Sequence, residues 1–195
     1  MVTEILESSF EKITQFLTTF KSILEIYWRN KQFDPAILTD LKLMNPIDGV
    51  SNTIRLFNYH HDLFQRKLPS IAPIGLVSLN CESVRSKIQS TPKDYINQLE
   101  KEIPDVIRQR NDESKKWLET RIKELEINIY TVEDFVEQQS YYNFTNEHFQ
   151  NVRDNIDMYT QTYNVMNEFT MKVKKEDSES LKESVVAITK LNGLI

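Results

Sequence analysis

The sequence predicts an all-α fold, built as elongated helical bundles in series with one short extended segment near residues 73–80. Three observations carry this reading. Apolar residues recur at helical spacing through most of the chain. Only three glycines interrupt 195 residues. All six prolines (Pro35, Pro46, Pro69, Pro73, Pro92 and Pro104) fall in the first 104 residues. Proline breaks helix interiors, so the first half must turn repeatedly while the second is free to run in long helices.

The elements follow in order. Ile5, Phe10, Ile13, Leu17, Phe20 and Leu24 define a first amphipathic helix ending near Trp28. Asp34-Pro35 then reads as N-cap and first helical position of a short helix that Asn45-Pro46 stops. A third helix runs from about Ile47 to Lys67, with Ile54, Phe57, Leu63 and Phe64 on one side. Pro69 and Pro73 enforce an extended piece that continues as PIGLVSLN, residues 73–80, with Leu76, Val77 and Leu79 expected to be buried.

A short helix through ESVRSKIQ is expected to end at Thr91-Pro92, where Thr91 caps the next helix and Pro92 enters its first turn. Pro104 either kinks that helix or starts another. Val106, Trp117, Ile122, Leu125 and Ile129 carry the helix to Thr131. Thr131-Val132-Glu133-Asp134 is a capping-box variant that opens the following helix. In that helix Phe149, Val152, Ile156, Tyr159, Tyr163 and Met166 alternate spacings of three and four. This is a packing seam of about two and a half heptads, short of the roughly three to four that define a coiled coil. After the charged break KVKKEDSES, a last helix spans about Ser180 to Leu191. Three segments result: a helical bundle over 1–67, a proline-bounded extended segment with a short helix over 68–91, and a long-helix bundle over 92–195.

Composition excludes several classes. A net charge of -5 argues against a duplex-binding surface, which needs clustered cations. No apolar run reaches the roughly 18 residues of a membrane span. The first residues lack the apolar stretch of a signal peptide. The single cysteine, Cys81, allows neither an internal disulfide nor a cysteine zinc site. A soluble protein of a reducing, intracellular compartment is expected, with no nucleic-acid or membrane partner.

The chain offers little chemistry. Gly49, Gly75 and Gly193 lie too far apart for a phosphate-cradling loop, a dinucleotide fingerprint or a hydrolase elbow. His60 and His61 are adjacent and point about 100° apart on a helix, so they cannot share a metal from one face. One is expected to pack against Phe57 and Phe64 and the other to be solvated, with Asp62 beside them adding no ligand set. His148 reads as a surface residue and Cys81 as a buried, inert thiol. Glu133, Asp134 and Glu137 suit a helix N-terminus, not a general acid–base pair. Arg108, Arg110, Lys115 and Lys116, interleaved with Asp112, Glu113 and Glu119, read as an ion-paired solvated face. Tyr141, Tyr142 and Phe144 read first as core and second as a partner site. No catalytic, cofactor-binding or metal residue emerges.

The order of segments carries a resemblance. PIGLVSLN, then TPKDYINQLEKEIP, TVEDFVEQ, YTQTYNVMNEF and the acidic KKEDSESLKES follow one another over about residues 68–192. This arrangement resembles the tail of dynein heavy chains, especially the axonemal ones, N-terminal to the linker. The resemblance implies a non-catalytic segment of a cytoskeletal motor in the axoneme of a cilium. ATP hydrolysis would belong to the rest of the heavy chain. The implied partners are other parts of the same heavy chain, dynein intermediate or light chains, or axonemal docking proteins. Trp117, Tyr141 and Tyr142 are the best partner-surface residues in this reading. The alternative is a free-standing helical adaptor that self-associates through its C-terminal helices.

Overall fold

The computed structural model describes residues 2–34, 46–74 and 77–195, and for a few of these, including Val77, the backbone alone. Among the described residues are α1 (Val2–Lys31), α2 (Pro46–Lys67), β1 (Ile71–Ile74), β2 (Val77–Asn80), α3 (Glu82–Leu125), α4 (Val132–Glu168) and α5 (Lys175–Asn192). The fold is all-α with one small antiparallel sheet. The helix expected from Pro35 falls outside the described residues, as does Leu76.

The chain divides into two compact units. The first takes in the described residues of Met1–Ile37 and Asn52–Leu99, the second those of Leu38–Ser51 and Glu100–Ile195. In the first unit Ile23, Tyr27, Phe64, Leu68 and Ile88 form the core, with Phe20, Leu24 and Ile26 packed against it half-buried. Full burial of a side chain such as Phe64 contributes about 2–3 kcal/mol. Beside this core Phe33, Phe57 and Tyr95 form an aromatic cluster, with Phe57 stacked on Tyr95 at 5.5 Å and Phe33 edge-on to Phe57 at 5.0 Å. The α1 stripe is covered only in its second half. Phe10 is 68% exposed and Leu17 also lies in water.

PIGLVSLN pairs with its own chain. Ala72 faces Leu79 and Ile74 faces Val77 across the ladder, and the Cys81 N–H extends it by donating to the Ser70 carbonyl at 2.8 Å. Hydrogen-bonded pairs therefore fall at 70/81, 72/79 and 74/77, so the missing N–H of Pro73 points away from β2. That is the strand position a proline tolerates. Burial differs from expectation. Ala72 and Ile74 are the inward residues, because α1 packs against β1. Leu79, on the outer strand, is 44% exposed.

The expected break at Thr91-Pro92 does not occur, and no new helix starts at Pro104, since α3 continues through both prolines. Thr91 does not cap. Its hydroxyl donates back to the Lys87 carbonyl at 3.0 Å, as a threonine inside a helix does. A proline in a helix interior costs about 3 kcal/mol. The apolar burial along α3 offsets this, with Leu99 in the first unit and Ile103, Ile107 and Leu118 in the second all buried. Local sequence signals lose here to tertiary packing.

In the second unit α3, α4 and α5 run up, down and up. The parallel course of α3 and α5 follows from their cross-links, Arg108 to Asp177, Asn111 to Ser180 and Lys115 to Glu183, which advance together along both helices. α3 stops at Leu125, six residues before Thr131, and α5 starts at Lys175 inside the charged run. The α4 C-terminus closes in a Schellman motif: Met171 N–H donates to the Met166 carbonyl and Thr170 N–H to that of Asn167, with Thr170 at φ 57°.

Candidate functional site

Among the described residues no group of three or more His, Cys, Asp and Glu side chains is placed to hold a metal ion. No described helix is long and apolar enough to cross a membrane. His60 is buried and stacks on Phe64, and its Nδ1 lies 2.9 Å from Asn30 Oδ1. Burial, with the Arg29 charge second, pushes its pKa below the ordinary imidazole value, so the ring is neutral. His61 is not simply solvated, since its Nδ1 sits 3.1 Å from the Gln89 carbonyl. Cys81 is half-buried where full burial was expected. His148 stacks on Phe144 and its Nδ1 lies 2.9 Å from that residue's carbonyl.

The basic run of α3 pairs chiefly across to α5, not with the interleaved acids. Arg108 holds Asp177, Lys115 reaches Glu183, and beyond the run Lys190 of α5 meets Glu126 at 2.7 Å. Sequence spacing alone could not reveal this, because the partners lie 64 to 69 residues apart. The ladder is structural: its one deeply buried charge, Asp177, is occupied by Arg108.

The seam residues Phe149, Ile156, Tyr159, Tyr163 and Met166 are buried in the second unit, and Val152 is half-buried. They form core, and Tyr159 also borders a cavity of about 330 Å³ lined by Arg110, Glu113, Ser114 and Asn155. Trp117 is half-buried on α3. Tyr141 is half-buried and its hydroxyl donates to Glu137, one turn back. Tyr142 and Phe144, read first as core, are exposed. The Tyr142 hydroxyl donates to the Ile195 carbonyl at 3.2 Å, and the Arg121 guanidinium lies over the Phe144 ring at 5.2 Å.

A larger feature escaped the sequence reading. Ile127, Ile129 and Tyr130 in the α3–α4 loop, with Val132, Phe135 and Val136 in the first turns of α4, all lie in water. Tyr130 is 83% exposed and Val132 75%. A rigid start holds them. Asp134 N–H donates to Thr131 Oγ1 at 3.1 Å, and the Tyr130 and Thr131 N–H groups both donate to Asp134 Oδ2. The Asp134 carboxyl is held below its usual range chiefly by the Tyr130 N–H, then by Thr131. The capping box expected at Thr131 is therefore present, and it fixes the apolar residues around it. A shallow groove of about 530 Å³ continues along α4 between Val136, Gln139, Ser140, Asn143, Phe144 and Glu147. Scattered apolar side chains are normal on a surface, but a contiguous group of this kind marks a contact site.

These features define a class, a helical protein whose most distinctive site is an uncovered apolar surface fixed by a helix cap. A scan against protein-family models and a search of curated proteins both give no match to this chain.

Proposed function

We propose that this chain is a non-catalytic helical scaffold segment, working in a dynein heavy-chain tail of the axoneme. Its task there is positional: stiff helices carry load and present surface to accessory chains, docking proteins or neighbouring parts of the heavy chain. The observation that carries the scaffold reading is the exposed apolar surface from Ile127 to Val136, held by the Thr131 cap and uncovered among the described residues. The order of the segments PIGLVSLN, TVEDFVEQ and YTQTYNVMNEF supports the dynein reading within it.

The test is an immunoblot of ciliary and cytosolic extracts with an antibody raised against residues 92–170. The expected result is a band far larger than 23.1 kDa, enriched in cilia and released by high salt. A band near 23 kDa with nothing larger would overturn the dynein reading and favour the free-standing, self-associating adaptor.

A further inference from the structure

The uncovered surface has a one-sided charge. From Glu124 to Val152 the chain contains six acids and no lysine or arginine. Two of the six are neutralised within the second unit, Glu124 by Arg121 and Glu126 by Lys190. Asp134 is occupied by the cap. Glu133 and Glu137, one turn apart, flank Val132 and Val136, and Glu147 lines the far end of the α4 groove. None of these three makes an ion pair among the described residues, so the apolar strip is bordered by uncompensated negative charge.

We infer that this surface docks a basic amphipathic helix of a partner. The inference rests on the scaffold reading and deepens it by naming the chemistry of the occupant. A helix fits because Val132, Val136 and the groove residues Ser140 and Asn143 recur at spacings of three and four, the pattern a second helix lies along. A basic one fits because cations beside its apolar stripe meet Glu133, Glu137 and Glu147 at the rim, where opposite charge steers binding and rejects wrong partners. A second copy of the same surface does not fit. A two-fold interface sets a patch against itself, bringing the same acids together as the apolar strip dries.

The experiment uses the full chain and three synthetic peptides. One is an amphipathic helix of leucines and lysines, one its counterpart with every lysine replaced by glutamate, and one the lysine–leucine composition in scrambled order. Fluorescence anisotropy is expected to show the basic amphipath binding about tenfold tighter than the acidic one, the size set by a few rim charges. The scrambled peptide should bind weakly. F135S together with V136S should weaken the basic amphipath by about tenfold or more, with unchanged circular dichroism. E133K together with E137K should reverse the order of the two amphipaths. Equal binding of the acidic amphipath, still lost in F135S/V136S, would overturn the basic partner and leave the docking surface standing. No binding of either amphipath would overturn both. Scrambled and amphipathic lysine peptides binding alike would reduce the effect to bulk charge and overturn the inference. A concentration-dependent dimer abolished by F135S/V136S would make the occupant a second copy and overturn it as well.

Discussion

The Arg108 guanidinium grips Asp177 with two hydrogen bonds, from Nε to Oδ1 at 2.6 Å and from Nη2 to Oδ2 at 2.8 Å. The pair ties α3 to the first turn of α5, and it is uneven: the Asp177 side chain is 4% exposed and that of Arg108 35%. Removing the cation therefore strands a buried carboxylate, whereas removing the carboxylate frees a cation that still reaches water. We expect Arg108→Met to lower stability by about 2 kcal/mol, less than the ~3–5 of a fully buried pair because water screens the arginine. Arg108→Met with Asp177→Leu should recover most of that loss. Urea unfolding of the three proteins decides it, and a double variant as unstable as the single one would contradict the account.

The same pair sets an acid limit. The hydrogen bonds from Arg108 hold the Asp177 carboxyl below its usual range. A carboxyl depressed in the fold contributes stability that is fully present above its unfolded value, about 3.9, and is lost as pH falls through the lower folded one. His60 works in a higher window. Burial keeps it neutral in the fold, with its pKa below the unfolded value of about 6.5, so unfolding takes up a proton in that range. Its contribution is present above about pH 6.5 and fades as pH falls towards the lower folded value. Urea midpoints should therefore drop between about pH 7 and pH 5, and drop less in His60→Gln. An equal drop in both proteins would remove His60 from the explanation.

Thr170 occupies a place made for glycine. It sits at φ 57° just after the end of α4, where a β-branched side chain crowds its own backbone. The motif persists because Met166 and Met171 on either side of the turn are both buried. We expect Thr170→Gly to raise stability by about 1 kcal/mol, since relief of the strained φ outweighs the flexibility gained by the unfolded chain. A lower thermal midpoint for Thr170→Gly would show that the Thr170 hydroxyl, which donates to the Phe169 carbonyl, matters more than the strain.

What the sequence disclosed follows the range of each interaction. The cap at Thr131 was legible because all its bonds lie within four residues. The helical character was legible from spacing alone. Pro92 misled, because its local cost is visible in sequence and the burial that outweighs it is not. PIGLVSLN is recognisable as extended, but nothing local shows that its second half, Val77–Asn80, pairs back on Ile71–Ile74, a strand that includes its own Pro73 and Ile74. The candidate site was mostly hidden. Ile129, Val132 and Val136 carry the same apolar label as core residues, and only their exposure in the fold separates the two groups. Aromatic type alone points equally to Tyr142, which is exposed, and to Trp117, which is half-buried.

The interior of the second unit carries a sharper prediction about polar groups. Ile156 has no exposed surface, so Ile156→Ala leaves a cavity and should cost about 3 kcal/mol. Its neighbours on the same helix behave differently. The Tyr163 hydroxyl and the Thr145 hydroxyl are buried and have no hydrogen-bond partner among the described residues. Burial, with the Asp177 charge second, pushes the Tyr163 pKa upward. A buried hydroxyl without a partner has already lost its bonds to water, so deleting it removes a penalty and not an interaction. Tyr163→Phe and Thr145→Val should therefore be neutral or stabilising by up to about 1 kcal/mol. Measured by urea unfolding, a loss above about 1 kcal/mol in either would mean that the hydroxyl is bonded in solution, and the seam would then be a polar network rather than an apolar core.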